Sequence, residues 1–272
     1  MLIGIKDLYG MKINGLDGEV GHVDEVLFDD QHWTVRYLIV DTGNWLNSRK
    51  VLISPLSFGV PDWYEHTLNV NLTLKQVENS PDVDTDKPVS RQWEIQHNGY
   101  YGWPYYWGGM GTWGTYWYPG ALLTHSVVEA EAADQKATDQ KHANDDVHLR
   151  STKAVTGYGI TATDGHIGKI DNFMVDDKSW KVRYLAVDTR RWWPGKRVLL
   201  PPDWISSVNW PLDTVTVDVT REQIKCAPEW DGSEPVTSEL EDRLNQYYSR
   251  PTHGVNDGAG KTDNSIETVC VS

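Results

Sequence analysis

Cysteine is almost missing from this chain. Cys226 and Cys270 are the only two among 272 residues. Their separation is not that of metal ligands, and Cys270 sits beside the chain end, so no structural disulfide is expected. Basic residues are scarce too: 25 Lys and Arg face 39 Asp and Glu, a net charge of −14. A field of that sign repels phosphate, which argues against general nucleic-acid binding and against docking on anionic membranes. Long apolar runs are lacking; the strongest, such as Tyr37 to Val40, are far too short to span a bilayer. The opening residues, Met1 to Lys6, lack the basic and apolar pattern of a secretory leader, so a soluble cytoplasmic protein is expected. Phenylalanine is rare, with 3 residues, whereas Trp and Tyr number 14 and 13. Indole and phenol rings join an apolar body to a hydrogen-bonding tip and favour half-wet surfaces.

The chain repeats itself. DEVLFDDQHWTVRYLIVDT (24–42) returns as DNFMVDDKSWKVRYLAVDT (171–189), a shift of 147 residues without a gap. Lys50-Val51-Leu52-Ile53 falls on Arg197-Val198-Leu199-Leu200, Trp63 on Trp210, Gln76 on Gln223, and Tyr100-Tyr101 on Tyr247-Tyr248. About 24 of the 65 positions from Asp17 to Pro81 are identical, so the chain is a tandem duplication. Each copy reads as β structure. Asp17-Gly18 and Asp164-Gly165 are hairpin turns that the Asp side chain can close, and Asp29-Asp30 and Asp176-Asp177 mark a second turn. Thr214 to Thr220 alternates with period two, as do Leu68, Val70 and Leu72. The strand Val35 to Val40 is apolar on both faces, so its outer face needs a cover. A helix after each sheet, capped by Ser90 and by Thr237, fits that need; in copy two it presents Leu240, Leu244 and Tyr247. If each sheet closes on itself, packing of one closed sheet directly on the other is the alternative.

Lys6-Asp7-Leu8-Tyr9-Gly10, then Asp17-Gly18 with Gly21, then Asp24, Asp29-Asp30 and Val35-Arg36-Tyr37-Leu38 through Asp41-Thr42 form an ordered pattern. It resembles the PRC-barrel family, whose small β-barrel occurs in the cytoplasmic part of the photosynthetic reaction centre and at the C-terminal end of the ribosome-maturation protein RimM. The resemblance spans Lys6 to Pro81 and again Lys153 to Pro228. It implies a mainly β protein with two small barrels in tandem, each followed by a short helix. It also implies an interaction or scaffold module that is not an enzyme, with no catalytic residue, cofactor or metal. The corresponding division is 1–104, a linker 105–151, 152–251, and a loose tail 252–272. Two further readings follow from the same likeness: an accessory of photosynthetic or membrane electron transport, and a ribosome-associated or RNA-processing factor.

From Ile95 to Val128 there is no charged residue, and Tyr100 to Trp117 reads YYGWPYYWGGMGTWGTYW. Its glycine and proline density excludes a spanning helix. Three readings stay open: a lid or wedge folded onto the barrels, a docking strip for a protein partner, or peripheral adsorption at a membrane interface. The partner-binding candidates here are Trp103, Tyr105, Tyr106, Trp107, Trp113 and Trp117. A second candidate patch is Arg190-Arg191-Trp192-Trp193, where copy one carries Gly43-Asn44-Trp45-Leu46. It helps to leave copy two with 13 basic residues against 8 in copy one, at 15 acidic residues each. It reads as a solvated loop or as a contact for an acidic partner or a second chain.

Catalytic sets are not evident. The repeated carboxylates Asp24, Asp29, Asp30, Asp171, Asp176 and Asp177 read as turn formers on solvated hairpins, with cation binding as the alternative. The nine His are scattered and read as solvated surface residues. No Gly-x-Ser-x-Gly elbow or phosphate-cradling loop occurs. Arg36 and Asp41 are five apart on one strand and so lie on opposite faces, which sends any partner of Arg36 elsewhere.

Overall fold

The computed structural model describes residues 1–84, 88–124, 148–189, 197–230, 232 and 235–248. The protein is mainly β, with two seven-stranded sheets, short helices and two domains. Its two compact units are Met1–Val155 with Phe173–Arg183, and Thr156–Asn172 with the chain from Tyr184 onward. The first unit therefore takes in the turn end of copy two's long hairpin.

The first sheet holds β2 (Lys12–Asn14), β3 (Glu19–Asp29), β4 (Thr34–Asp41), β5 (Lys50–Ile53), β6 (Phe58–Asp62) and β7 (Thr67–Val70). Its order is β5-β4-β3-β2-β7-β6, antiparallel except for the parallel pair of β2 with β7. The seventh strand, β8 (Leu149–Ser151), adds to β3. Copy two repeats the order with β9 (Gly159–Ala162), β10 (Gly165–Asp176), β11 (Val182–Asp188), β12 (Arg197–Leu200), β13 (Ile205–Asn209) and β14 (Thr214–Val217). Its seventh strand is β1 (Leu2–Gly4), paired with β10.

The last Gly of each Asp-Gly-x-x-Gly motif answers a close backbone crossing. A Cβ on Gly21 would lie 2.0 Å from the Asp41 carbonyl oxygen, and one on Gly168 would lie 2.3 Å from that of Asp188. No side chain fits there.

β4 is buried from Thr34 to Val40, on both faces. Tyr37 and Ile39 pack with Leu27, Leu52, Val89 and Leu149, and Trp93 joins this cluster. The cover is thus β8 together with α2 (Arg91–Tyr101), whose N-terminus is capped where Trp93 N donates to Ser90 Oγ. In copy two Leu240 N donates to Thr237 Oγ1, and the following helix buries Leu240 and Leu244. Both expected helices are present.

The hairpin aspartates act otherwise than expected. Asp17 accepts Leu74 N at 2.7 Å, at the start of α1 (Leu74–Glu78). Asp164 accepts Arg221 N at 2.7 Å, at the equivalent helix Arg221–Lys225. Each carboxylate satisfies an N-terminal amide of a helix 57 residues on rather than its own turn. Replacing Asp17 or Asp164 by Ala is expected to cost about 1 kcal/mol each, read from urea unfolding midpoints.

Candidate functional site

The site grows from the turn end of β3 and β4. Asp29 closes the turn by accepting His32 N at 2.5 Å. Its other oxygen accepts Arg36 Nε at 2.5 Å, and both side chains are buried. Asp29 is therefore an interior ion-pair member, not the solvated turn former that its spacing suggests. Burial alone would raise its carboxyl pKa, but Arg36 and His32 outweigh that and hold it below the usual carboxylate range.

Among the described residues Arg36 Nη1 and Nη2 have no hydrogen-bond partner. Aromatic faces stand in their place. The guanidinium carbon lies 3.8 Å from the Tyr106 ring centre and 4.6 Å from that of Trp113. A desolvated cation–π contact is worth about 2 kcal/mol, similar to the cost of an unmade buried bond, so the rings offset much of the penalty.

Tyr106 and Trp113 belong to a strap that runs from the end of α2 to α3 (Pro119–Thr124). Glu94 of α2 anchors it: the fully buried carboxylate accepts Tyr106 OH at 2.6 Å and Arg91 Nη1 at 3.0 Å. His148 Nε2 lies 2.9 Å from the same carboxylate. Burial first, and Glu94 second, push the Tyr106 hydroxyl well above its ordinary pKa, so it remains a donor. Trp113 Nε1 donates to the Ser179 carbonyl at 2.7 Å. The strap's glycines allow it to double back: Cβ atoms at Gly109 and Gly111 would lie 2.2 and 2.3 Å from backbone atoms of Gly114 and Tyr116.

His97, also on α2, is buried rather than solvated. Its Nε2 sits 3.2 Å from the Leu52 carbonyl, and its ring lies against Trp93, Tyr37 and Tyr101. Burial lowers its pKa to about 4. The equivalent in copy two is Leu244, and there the matching Leu199 carbonyl accepts Tyr248 OH.

The sequence-derived candidates separate into three sets. Tyr106 and Trp113 are interior, at 5% and 0% exposure. Trp103, Tyr105 and Trp107 are half-buried: Trp103 stacks on Tyr101, Tyr105 stacks on Trp107, and Arg91 lies over Trp107 at 4.1 Å. Trp117 is 61% exposed and is followed by exposed Tyr118; Met110 is 97% exposed. Arg190, Arg191, Trp192 and Trp193 lie outside the described residues, as does Cys270. Cys226 is disulfide-bonded, which corrects the expectation that no structural disulfide forms. Arg91, Glu94 and His148 escaped the sequence reading. Their one signal was that Arg91 and Glu94 are the last charges before the neutral stretch. Among the described residues no group of His, Cys, Asp or Glu converges as a metal site, and no helix is long and apolar enough to cross a membrane.

The PRC-barrel domain matches residues 1–62 and 160–224, one match in each repeat. The chain thus carries the PRC-barrel domain twice. No curated protein matches it. The first PRC match holds Asp29 and Arg36, and the second holds their equivalents Asp176 and Arg183. The strap lies outside both matches, so it is an addition to the PRC domain.

Arg36→Ala would strand Asp29 in the interior and is expected to cost about 3–5 kcal/mol in urea unfolding. Arg183→Ala, at an exposed position, should change stability by less than about 0.5 kcal/mol. His97 generates a pH dependence. The unfolded chain takes up a proton below about pH 6.5, and the folded one only near pH 4. Its contribution is complete above pH 6.5 and is lost on acidification towards pH 4, on the order of 3 kcal/mol. His97→Leu should flatten that part of the stability–pH curve.

Proposed function

We propose that this chain is a non-enzymatic protein-interaction module of the cytoplasm, two PRC domains that present an aromatic strap to a protein partner. The strap's two-sidedness carries this reading. Tyr106 and Trp113 face inward on Arg36, while Met110, Trp117 and Tyr118 point to solvent from the same short segment. Rings held on a packed bed lose little conformational entropy when a partner covers them, which is the property of binding hot spots. The family supports the same reading, since a PRC domain suggests an interaction or scaffold role. The acidic balance of the chain disfavours nucleic acid as the partner.

The test is affinity capture with the intact chain and with a Met110→Ser/Trp117→Ala/Tyr118→Ala variant. All three residues are exposed, so the variant should unfold like the parent. The expected outcome is at least one protein retained by the parent and lost from the variant. Identical captured sets from both chains would overturn the proposal.

A further inference from the structure

Within the first unit the turn ends of the two repeats meet about a local two-fold. Thr34 pairs with Lys181, its own equivalent under the 147-residue shift. Val35 N donates to Trp180 O at 2.8 Å, and Val182 N donates to Trp33 O at 2.7 Å, again exchanged by that shift. The outer rungs obey the same rule: β1 pairs Leu2 with Asp176, Ile3 with Val175 and Gly4 with Met174, while β8 pairs Leu149 with Asp29, Arg150 with Phe28 and Ser151 with Leu27.

The shift relates two faces of this seam. On one, Arg36 and the Ser179 carbonyl receive the strap, through the Tyr106 and Trp113 rings and the Trp113 indole N–H. The shift converts Arg36 into Arg183 and Ser179 into His32. Arg183 is exposed and makes no ion pair or ring contact among the described residues. The His32 carbonyl accepts the Thr34 hydroxyl at 3.1 Å and, with two lone pairs, has room for a second donor. The second face thus keeps the arginine and the carbonyl that Tyr106 and Trp113 engage on the first.

We infer that the Arg183–His32 face is a binding site for a glycine-rich segment of a partner protein that carries Tyr and Trp seven residues apart. The covered face specifies this occupant. It shows which chemistry a strand-borne arginine of this fold takes: two aromatic faces on the guanidinium and an indole N–H on the neighbouring carbonyl. The glycines are part of the specification, because the ligand must double back tightly to deliver both rings. This inference rests on the reading of the protein as an interaction module, but it concerns a different surface from Met110, Trp117 and Tyr118. Capture through those rings can fail while this site binds, and the reverse.

A fluorescein-labelled peptide copying residues 103–118 serves as the probe, titrated against the intact protein by fluorescence anisotropy. Saturable one-to-one binding is expected, weakened about tenfold or more by Arg183→Ala and unchanged by Arg243→Ala, another exposed arginine. No saturable binding, or equal binding to the Arg183→Ala protein, would overturn the inference. The second result would also show that the peptide competes for the Arg36 face or for the exposed rings instead.

Discussion

A buried cation organises the first domain. Arg36 stands in the middle of a strand that is otherwise apolar, and its position offers no water. Asp29 neutralises it from the turn, which ties the side-chain pair to the hairpin geometry. Two nitrogens remain, and only flat electron-rich surfaces can approach them from the strap side. The aromatic segment is therefore the completing half of an electrostatic arrangement that begins in β3 and β4. Glu94, Arg91 and His148 then hold the strap by charge-assisted bonds on its own polar edge.

Copy two illustrates what happens without that segment. The same Asp-to-Arg spacing is present, yet Asp176 spends its Oδ1 on Lys178 N and on Ser179 N and Oγ, and Arg183 reaches solvent. Both copies keep the strand order, the glycine crossing and the remote helix cap. They differ where side chains outside the PRC pattern intervene. His97 in place of Leu244 belongs to the same class of change, a polar substitution tolerated because a backbone carbonyl and the surrounding aromatic rings receive it.

Most of the architecture was legible in the sequence because it follows from periodicity and from the duplication itself. The two-faced apolar character of Val35 to Val40 announced a cover, and Ser90 and Thr237 announced where that cover starts. Long-range partnerships were less legible. Asp17 reads as a turn residue because nothing local links it to Leu74. Asp29 reads as solvated because exposure is a tertiary property. Glu94 and His148 lie 54 residues apart and meet only once the strap is in place, so no motif spacing could join them. The split of the strap into inward and outward rings is equally invisible, since Tyr and Trp serve both roles with the same composition.

The Thr34–Lys181 rung has a consequence for assembly. Where two separate chains met by such self-complementary edges, dilution would part them, and every substitution would appear twice. Here both edges lie on one polypeptide, so encounter is unimolecular and its strength does not depend on protein concentration. Each side of the seam is also encoded by its own stretch of gene. One side could acquire a permanent aromatic covering while the other drifted independently, a division of labour closed to an assembly of identical protomers.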